Sequence, residues 1–189
     1  MKYKAILIFG SPGCGKGTQA ELLTKSNYFH FSSGNMFRNL NSKTELGKKI
    51  KILIDNGEFV PDDLVLRLFE DTLKKYIKDK KFNPEKEILV LDGIPRTKEQ
   101  VHLLNKIVDI KKIIYLKLND EAVLERTTKS RSGEKREDDK NIEIVKKRLK
   151  TFKKITLPVL KEYKKDLVVE LNGEKSVEET HGYILRILK

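Results

Sequence analysis

A glycine-rich stretch near the amino terminus holds the strongest candidates for chemistry in the chain. It reads Gly10-Ser-Pro-Gly-Cys-Gly-Lys-Gly-Thr18, follows an apolar run at residues 5–9 and precedes a helix-compatible segment at residues 19–25. Glycines let backbone N–H groups converge on an anion, a helix amino terminus adds positive charge density, and a lysine can bridge phosphate groups. The order of strand, loop, lysine and helix predicts a binding site for a nucleoside phosphate.

The arginines are the next candidates, because their planar, permanently charged fork binds phosphate oxygens in pairs. The chain has 40 lysine and arginine residues, and only eight of them are arginine. Where a chain otherwise prefers lysine, each arginine is a candidate for a phosphate contact. The eight arginines are at positions 38, 67, 96, 126, 131, 136, 148 and 186.

Composition limits the remaining possibilities. A chain of 189 residues can bury the core of one domain. No apolar run approaches the ~20 residues that cross a bilayer. The single cysteine, Cys14, excludes an internal disulfide and fits a reducing compartment. We therefore expect a cytoplasmic monomer with no membrane partner.

Charge and histidine content are less specific. The net charge of +12 suggests nucleic-acid binding as one possibility. However, the lysines are spread along the chain and are not interleaved with aromatic residues, so we expect a solvated basic surface and no nucleic-acid partner. The histidines at positions 30, 102 and 181 lack metal-site spacing and are predicted to be structural or surface residues.

The elements that must position these residues follow from the hydrophobic pattern. Apolar runs predict five strands, at residues 4–9, 28–31, 88–91, 113–118 and 167–171. Continuous apolar runs separated by helical patterns are typical of a parallel sheet with both faces covered. We predict helices at 64–77 and 142–163, the second bent near Pro158, and a capping box at Ser176-Val-Glu-Glu179. Asn119 or Asp120 can cap another helix.

Two segments depart from the alternation of strand and helix. Residues 33–61 are predicted to be helix following helix, and residues 130–141 form a short polar loop. Insertions of this kind above an open α/β sheet can serve as lids. We predict a single domain whose core comprises residues 1–32, 62–129 and 142–189.

Three more motifs join the glycine-rich loop. They are His30-Phe-Ser-Ser-Gly-Asn-Met-Phe-Arg38, then Leu89-Val-Leu-Asp-Gly-Ile-Pro-Arg96 with Gln100, and the arginines at 126, 131, 136 and 148 around Asp138-Asp139. Together the four motifs resemble the adenylate kinases of the nucleoside monophosphate kinase family, in the form with a short lid. The resemblance covers essentially the whole chain.

The resemblance implies a P-loop NTPase fold of the α/β class. It would be a five-stranded parallel sheet flanked by helices, with a helical NMP-binding segment at 33–61 and a lid at 130–141. It also implies Mg²⁺-dependent transfer of a phosphoryl group from ATP to AMP, giving two ADP. Such a transfer needs no general base, so catalysis consists of alignment and charge stabilisation.

The resemblance also implies particular site residues. The catalytic positions are Lys16, Arg96, Arg126, Arg136 and Arg148. The ATP site would include Gly13, Cys14, Gly15, Lys16, Gly17, Thr18, Arg126, Arg131 and Lys175. The AMP site would include Ser33, Arg38, Glu58, Phe59, Val60, Gly93, Ile94, Pro95, Arg96, Gln100, Arg136 and Arg148. Thr18 and Asp92 would face Mg²⁺, mostly through water.

The chain departs from the family pattern at several positions. Asn35 replaces the usual Asp, which removes a charge although Asn can still cap the following helix, and Ile94 replaces an aromatic residue. The spacings from Arg126 to Arg131 and from Asp139 to Arg148 are each one residue longer than usual, so the register of the lid arginines is open.

Three alternatives compete with this interpretation. A UMP/CMP kinase shares the fold, but Gln100 occupies the position where those enzymes usually have Asn. A P-loop GTPase-like switch needs guanine-reading motifs that residues 92–95 and 105–109 do not match. A basic nucleic-acid-binding P-loop module would leave the arginine positions unexplained, and it predicts salt-dependent binding without phosphoryl transfer.

Overall fold

The computed structural model describes residues 2–128 and 141–189 of the chain. A parallel sheet lies at the centre, with the strand order β2-β3-β1-β4-β5. Its strands are β1 Tyr3–Gly10, β2 Tyr28–Ser32, β3 Ile88–Asp92, β4 Val108–Lys117 and β5 Val168–Asn172. The predicted five-stranded parallel sheet is confirmed, although β4 begins five residues before its predicted start.

Helices connect the strands and cover both faces of the sheet. They are α1 Lys16–Leu23, α2 Ser33–Arg38, α3 Glu45–Asp55, α4 Asp62–Lys78, α5 Lys98–Leu104, α6 Asp120–Thr128, α7 Ile142–Thr151 and α8 Val177–Ile187. The predicted capping box at Ser176 and Glu179 is present at the start of α8. Asn119 is the residue that caps α6, because its side-chain oxygen accepts from the Ala122 N–H at 2.7 Å.

Strand β1 shows why the sheet is buried on both faces. Successive side chains of a strand point to opposite faces, and here both sets are apolar. Ala5, Leu7 and Phe9 belong to the core beneath α4 and α5. Ile6 and Ile8 belong to a second core with residues of α1 and α8. Burial on both sides fixes the position of β1, and with it the loop that follows.

The structure does not show the local cap offered by Asn35. Asn35 does not cap a helix: α2 begins at Ser33, and the Ser32 hydroxyl accepts from the Asn35 N–H at 3.3 Å. A capping side chain must precede the N–H groups that it satisfies, whereas Asn35 lies inside the helix.

The bend predicted near Pro158 starts earlier in the chain. Helix α7 ends at Thr151, followed by a π-helical turn at Phe152–Thr156 and a 3₁₀ segment at Leu157–Glu162. Proline lacks an N–H and crowds the preceding turn, so the irregular hydrogen bonding extends several residues before Pro158. Within residues 2–128 and 141–189, no helix has the length and apolar character needed to cross a membrane.

Candidate active site

A cavity of about 160 Å³ lies at the carboxyl ends of β1, β2 and β3. This edge of an open parallel sheet is where ligands of α/β proteins usually bind. Most of the lining comes from the glycine-rich loop, residues 33–61, the loop from β3 into α5, and helix α7. The lining includes Gly13, Lys16, Arg38, Glu58, Phe59, Val60, Asp92, Gly93, Ile94, Pro95, Arg96, Gln100 and Arg148.

The glycine-rich loop turns from β1 into α1. Gly15 lies directly before α1 with a φ of 92°, a left-handed conformation that side chains disfavour. The Lys16 ammonium donates to the carbonyl oxygens of Gly10 at 2.9 Å and Ser11 at 2.8 Å, and it lies 3.6 Å from the Cys14 sulfur. Cys14 is itself part of the loop and is buried. The Lys16 side chain is therefore bound to the backbone of its own loop.

Asp92 is the last residue of β3 and the acidic residue at the base of the cavity. Burial raises the pKa of its carboxyl group, but the contact with His30 and the charges of Lys16 and Arg96 outweigh burial, so the pKa is lowered overall. Asp92 Oδ2 lies 3.6 Å from the point where a Cβ on Gly17 would be. An ionised carboxylate thus faces the start of α1.

His30 lies between two carboxylates. Its Nδ1 is 3.3 Å from Glu21 Oε2, and its Nε2 is 3.7 Å from Asp92 Oδ2. Burial alone would lower the pKa of His30, but the neighbouring Asp92 and Glu21 carboxylates raise it above its usual value. From the sequence, His30 is predicted to be a structural or surface residue. The two-residue period of β2 places it on the same face as Ser32, which pairs with Asp92 across the sheet.

Gln100 is buried, with only 3% of its surface exposed, and both ends of its amide are bonded to protein groups. Its Oε1 accepts from the Arg96 backbone N–H at 2.7 Å, and its Nε2 donates to Asp62 Oδ1 at 2.7 Å. The other oxygen of Asp62 accepts from the Thr97 hydroxyl at 2.8 Å. Asp62 is missing from the residues inferred from the sequence.

The loop after β3 holds Arg96 close to its own backbone. Arg96 Nε donates to the Gly93 carbonyl at 2.8 Å, and the guanidinium lies 5.9 Å from the centre of the Phe59 ring. Gly93 has a φ of 81°, and a Cβ there would come within 2.5 Å of the buried Ser33 hydroxyl. A side chain at Gly93 would therefore displace both the loop and Ser33.

Two further arginines reach the cavity from other elements. Arg38, at the end of α2, donates to Asn35 Oδ1 at 2.7 Å. Arg148, on α7, lies against Gly57, where an added Cβ would be 3.1 Å from Arg148 Cγ. Beside it, Lys147 forms an ion pair with Glu58 at 3.1 Å. Helix α7 thereby contacts the 33–61 segment.

Among the described residues of the predicted ATP site, those outside the cavity lining are Cys14, Gly15, Gly17, Thr18, Arg126 and Lys175. Arg126, on α6, donates to the Gly173 carbonyl at 2.8 Å. Lys175 follows Gly173 by two residues. Its ammonium forms an ion pair with Glu179 at 3.5 Å and lies 5.5 Å from the centre of the Tyr183 ring. Thr18 is exposed on the first turn of α1.

The structure thus brings most of the predicted acceptor-side residues to one cavity together with Lys16 and Asp92, while Ser33 lies just behind Gly93. The predicted lid arginines, Arg131 and Arg136, lie outside the described residues, as does all of the predicted lid except Asn141. Among residues 2–128 and 141–189, no group of three or more His, Cys, Asp or Glu side chains could hold a metal ion.

Comparisons with known proteins agree with this geometry. The family model described as adenylate kinase matches residues 8–168. An adenylate kinase of Caldicellulosiruptor bescii is 34% identical, with 97% of this chain and 98% of the relative covered. An adenylate kinase of Prochlorococcus marinus is 35% identical, with 97% of each chain covered. One of Flavobacterium johnsoniae is 36% identical, with 84% of each chain covered.

The family match begins within β1 and ends at the start of β5, so it spans the cavity and all the segments that line it. The chain therefore belongs to the adenylate kinase family, and it is a phosphotransferase that reversibly converts ATP and AMP into two ADP.

Proposed function

We propose that AMP binds in the cavity and that the glycine-rich loop holds the ATP phosphates, so that the phosphoryl group crosses between them. One observation carries this proposal: Lys16, Arg38, Arg96, Gln100 and Arg148 reach a single cavity from four separate segments. A surface lysine or arginine needs no such convergence. Two highly charged substrates do need converging cations, because their phosphates repel each other until positive groups lie between them.

The phosphates would be aligned by positive groups from both sides. Arg38 and Arg96 would bind the AMP phosphate, and Arg148 would contact both substrates. Lys16 would exchange the carbonyl oxygens of Gly10 and Ser11 for phosphate oxygens of ATP. The AMP phosphate is already a nucleophile, so these groups need only position it in line and stabilise the charge on the transferred group.

The ends of the two nucleotides would be held by different segments. Gln100 would pair with the adenine edge of AMP, with Ser33 and the stretch from Glu58 to Val60 around it. Arg126 and Lys175 would lie along the adenosine of ATP. Arg131 and Arg136 would act from the lid at 130–141. Closure of this lid and of the 33–61 segment would exclude water, which would otherwise hydrolyse ATP.

Members of the family generally use Mg²⁺ with ATP, and the residues here fit that ion. Asp92 is an ionised, hard oxygen donor next to the loop, and the described residues offer no cage of carboxylates around it. Mg²⁺ commonly keeps several waters and binds phosphate oxygens with few protein ligands. Asp92 and Thr18 would hold it mostly through water. The ion would neutralise charge on the phosphates during transfer.

The test is acceptor selectivity. Purified protein is mixed with Mg²⁺, ATP and one of AMP, CMP, UMP or GMP, and product nucleotides are followed by phosphorus NMR. We expect rapid formation of ADP with AMP and slow transfer to the others. Comparable transfer to CMP or UMP would overturn the assignment of Gln100. Absence of transfer to every acceptor would contradict the whole proposal.

We also propose that the protein acts as a monomer in the cytoplasm, without nucleic-acid partners. The spread of its lysines and its single cysteine support this proposal. Sedimentation at micromolar concentration, with and without a single-stranded oligonucleotide in physiological salt, should give one species of about 22 kDa. A dimer or a protein–oligonucleotide complex would contradict it.

A further inference from the structure

Asp62 connects two elements at the edge of the cavity. It is the first residue of α4 and is half-buried. Its Oδ2 accepts from the Thr97 hydroxyl at 2.8 Å, and its Oδ1 accepts from Gln100 Nε2 at 2.7 Å. Thr97 in turn caps α5 by accepting from the Gln100 backbone N–H at 3.1 Å. One carboxylate therefore fixes both the helix cap and the Gln100 side chain.

The orientation of the Gln100 amide is determined by its two neighbours. A backbone N–H can only donate, and an ionised carboxylate can only accept. The Arg96 N–H therefore requires the Gln100 oxygen on its side, and Asp62 requires the Gln100 nitrogen on the other. If the amide turned over, two donors would meet at Arg96 and two acceptors at Asp62. Such buried mismatches are strongly unfavourable.

This arrangement leaves Gln100 with a defined pattern for a ligand. A glutamine amide has two N–H donors and an oxygen with two lone pairs. One donor is used by Asp62 and one lone pair by Arg96, so one donor and one acceptor remain in known positions. A base can form a pair of hydrogen bonds with them only if its own acceptor and donor are arranged in the complementary order.

Adenine and hypoxanthine have opposite arrangements at this edge. Adenine carries an amino donor at position 6 next to the acceptor N1. Hypoxanthine carries an oxygen acceptor at position 6 next to an N1–H donor. An amide held in one orientation can therefore match only one of them. An amide free to turn over could match either base, because a half-turn rotation exchanges its donor and acceptor.

We propose that Asp62 is a positioning residue that fixes Gln100 in one orientation and thereby selects a 6-amino purine over a 6-oxo purine as the acceptor base. The proposal rests on the proposed role of Gln100 in pairing with the acceptor base. It adds a cause for the selectivity: the discrimination depends on a carboxylate that belongs to a different helix and that itself does not touch the base.

The experiment compares AMP with IMP, which differ only in the group at position 6 and its neighbouring proton. The ratio of kcat/KM for AMP to kcat/KM for IMP is measured with Mg²⁺ and ATP. In Asp62→Leu, which has similar volume and no acceptor, the ratio should fall about tenfold, because one charge-assisted hydrogen bond no longer opposes rotation of the amide. An unchanged ratio would overturn the proposal.

Two matched variants separate positioning from simple loss of charge. Asp62→Asn keeps one oxygen that can accept from Gln100, so its ratio should stay within about threefold of the wild type. Asp63→Asn removes the same charge from the first turn of α4 at an exposed position, and it should leave the ratio unchanged. If Asp63→Asn lowers the ratio as much as Asp62→Leu does, the effect is electrostatic at the helix terminus and the proposal is wrong.

A Gln100→Leu variant distinguishes failure of this inference from failure of the proposed function. If Gln100→Leu lowers the AMP/IMP ratio and Asp62→Leu does not, Gln100 reads the base without Asp62, and the inference alone fails. If Gln100→Leu leaves the ratio unchanged, Gln100 does not read the base and both fail.

A measurement on the wild type covers the case in which Asp62→Leu does not fold. The side-chain amide signal of Gln100 is assigned in a ¹⁵N–¹H spectrum as the one missing from Gln100→Leu. The proton bonded to Asp62 should exchange with solvent more slowly than the other proton of the same amide. Equal and rapid exchange of both protons would show a mobile amide and overturn the proposal.

Discussion

The two ends of the cavity differ in what their polar side chains bind. At the Gln100 end, which comprises Asp62, Arg96, Thr97 and Gln100, the groups hold one another in a single orientation. At the Lys16 end, which comprises Gly10, Ser11 and Lys16, the ammonium is bonded to the carbonyl oxygens of its own loop. Under the proposed function, the Gln100 end is already organised to receive a base, whereas the Lys16 end must exchange its contacts to receive phosphates.

This difference follows from what each end has to recognise. A base is distinguished by the positions of a few donors and acceptors, so a rigid and buried arrangement gives selectivity. A phosphate chain is bound mainly through charge, and a flexible lysine can leave carbonyl oxygens for phosphate oxygens at small cost. In the proposed function, the rigid end is the one that selects the base, and the movable cation lies at the end where charge changes during the reaction.

The largest expected effect comes from removing the movable cation. Lys16→Met should lower kcat by about 100- to 1,000-fold, because a positive group that stabilises the transferred phosphoryl group is lost. The rate is measured as ADP formation from ATP and AMP. Lys25→Met, at an exposed position just after α1, is the control and should keep the wild-type rate. A loss of less than fivefold in Lys16→Met would mean that the lysine does not act on the phosphates.

Arg96→Lys should have a smaller effect that is confined to one substrate. Lysine keeps the charge but lacks the planar fork with which Arg96 bonds to Gly93 and, in our proposal, binds the AMP phosphate at the same time. The KM for AMP should rise roughly tenfold while the KM for ATP stays within about twofold. The exposed Arg67→Lys on α4 is the matched control. Equal increases in both KM values would contradict the division of the cavity into two ends.

The contacts of His30 with Asp92 and Glu21 predict that His30 contributes to the free energy of unfolding in a pH-dependent way. Its raised pKa gives stability that is complete below the ordinary value of 6.5 and is lost as the pH rises through the raised pKa. The lowered pKa of Asp92 gives stability that is present above 3.8 and is lost as the pH falls through the lowered pKa. Both contributions are therefore complete between these two ordinary values.

Accordingly, His30→Asn should lower the free energy of unfolding by roughly 1–2 kcal/mol near pH 5.5, and by less near pH 8.5. Urea unfolding without nucleotide or Mg²⁺ measures this difference. The exposed His102→Asn on α5 should show no such trend. A larger loss for His30→Asn at the higher pH would have the wrong sign and would refute the charged pairing of His30 with Asp92 and Glu21.

The smallest effect is expected where the 33–61 segment meets α7. Lys147 and Glu58 form an exposed ion pair, and such pairs contribute about 0.5 kcal/mol or less. A double-mutant cycle of Lys147→Gln and Glu58→Gln, measured by unfolding in low salt, should give a coupling of that size. The exposed pair of Lys51 and Asp55 on α3 provides a comparison. Coupling above about 2 kcal/mol would show that the segment is locked to α7.

Much of the fold could be predicted from the sequence, because the buried strands are apolar and the helix caps use local side chains. The start of β4 was missed because Asp109, Lys111 and Lys112 interrupt the apolar run, although Val108 and Ile110 are buried. The cap of α2 is Ser32 and not Asn35, because a motif spacing does not fix where a helix begins.

The motifs predict several residues that line the cavity, but they give no signal for residues whose contacts depend on the tertiary fold. Gln100 and Arg96 follow from the motif after β3. Asp62 lies 38 residues before Gln100, so its bond to the amide has no local signal. The sequence predicts a structural or surface role for His30, but a single histidine in an apolar strand gives no indication of the carboxylates beside it. Both residues act through neighbours that only the fold brings together.

The most direct test of the contrast between the two ends is a crystal structure with AMP and a non-hydrolysable ATP analogue bound. We predict that Gln100 keeps its bonds to Asp62 and to the Arg96 N–H while it pairs with adenine. Lys16 should leave the carbonyl oxygens of Gly10 and Ser11 for phosphate oxygens. If Gln100 changed its partners on binding and Lys16 kept its own, the account of a rigid base-reading end and a movable phosphate-binding end would be wrong.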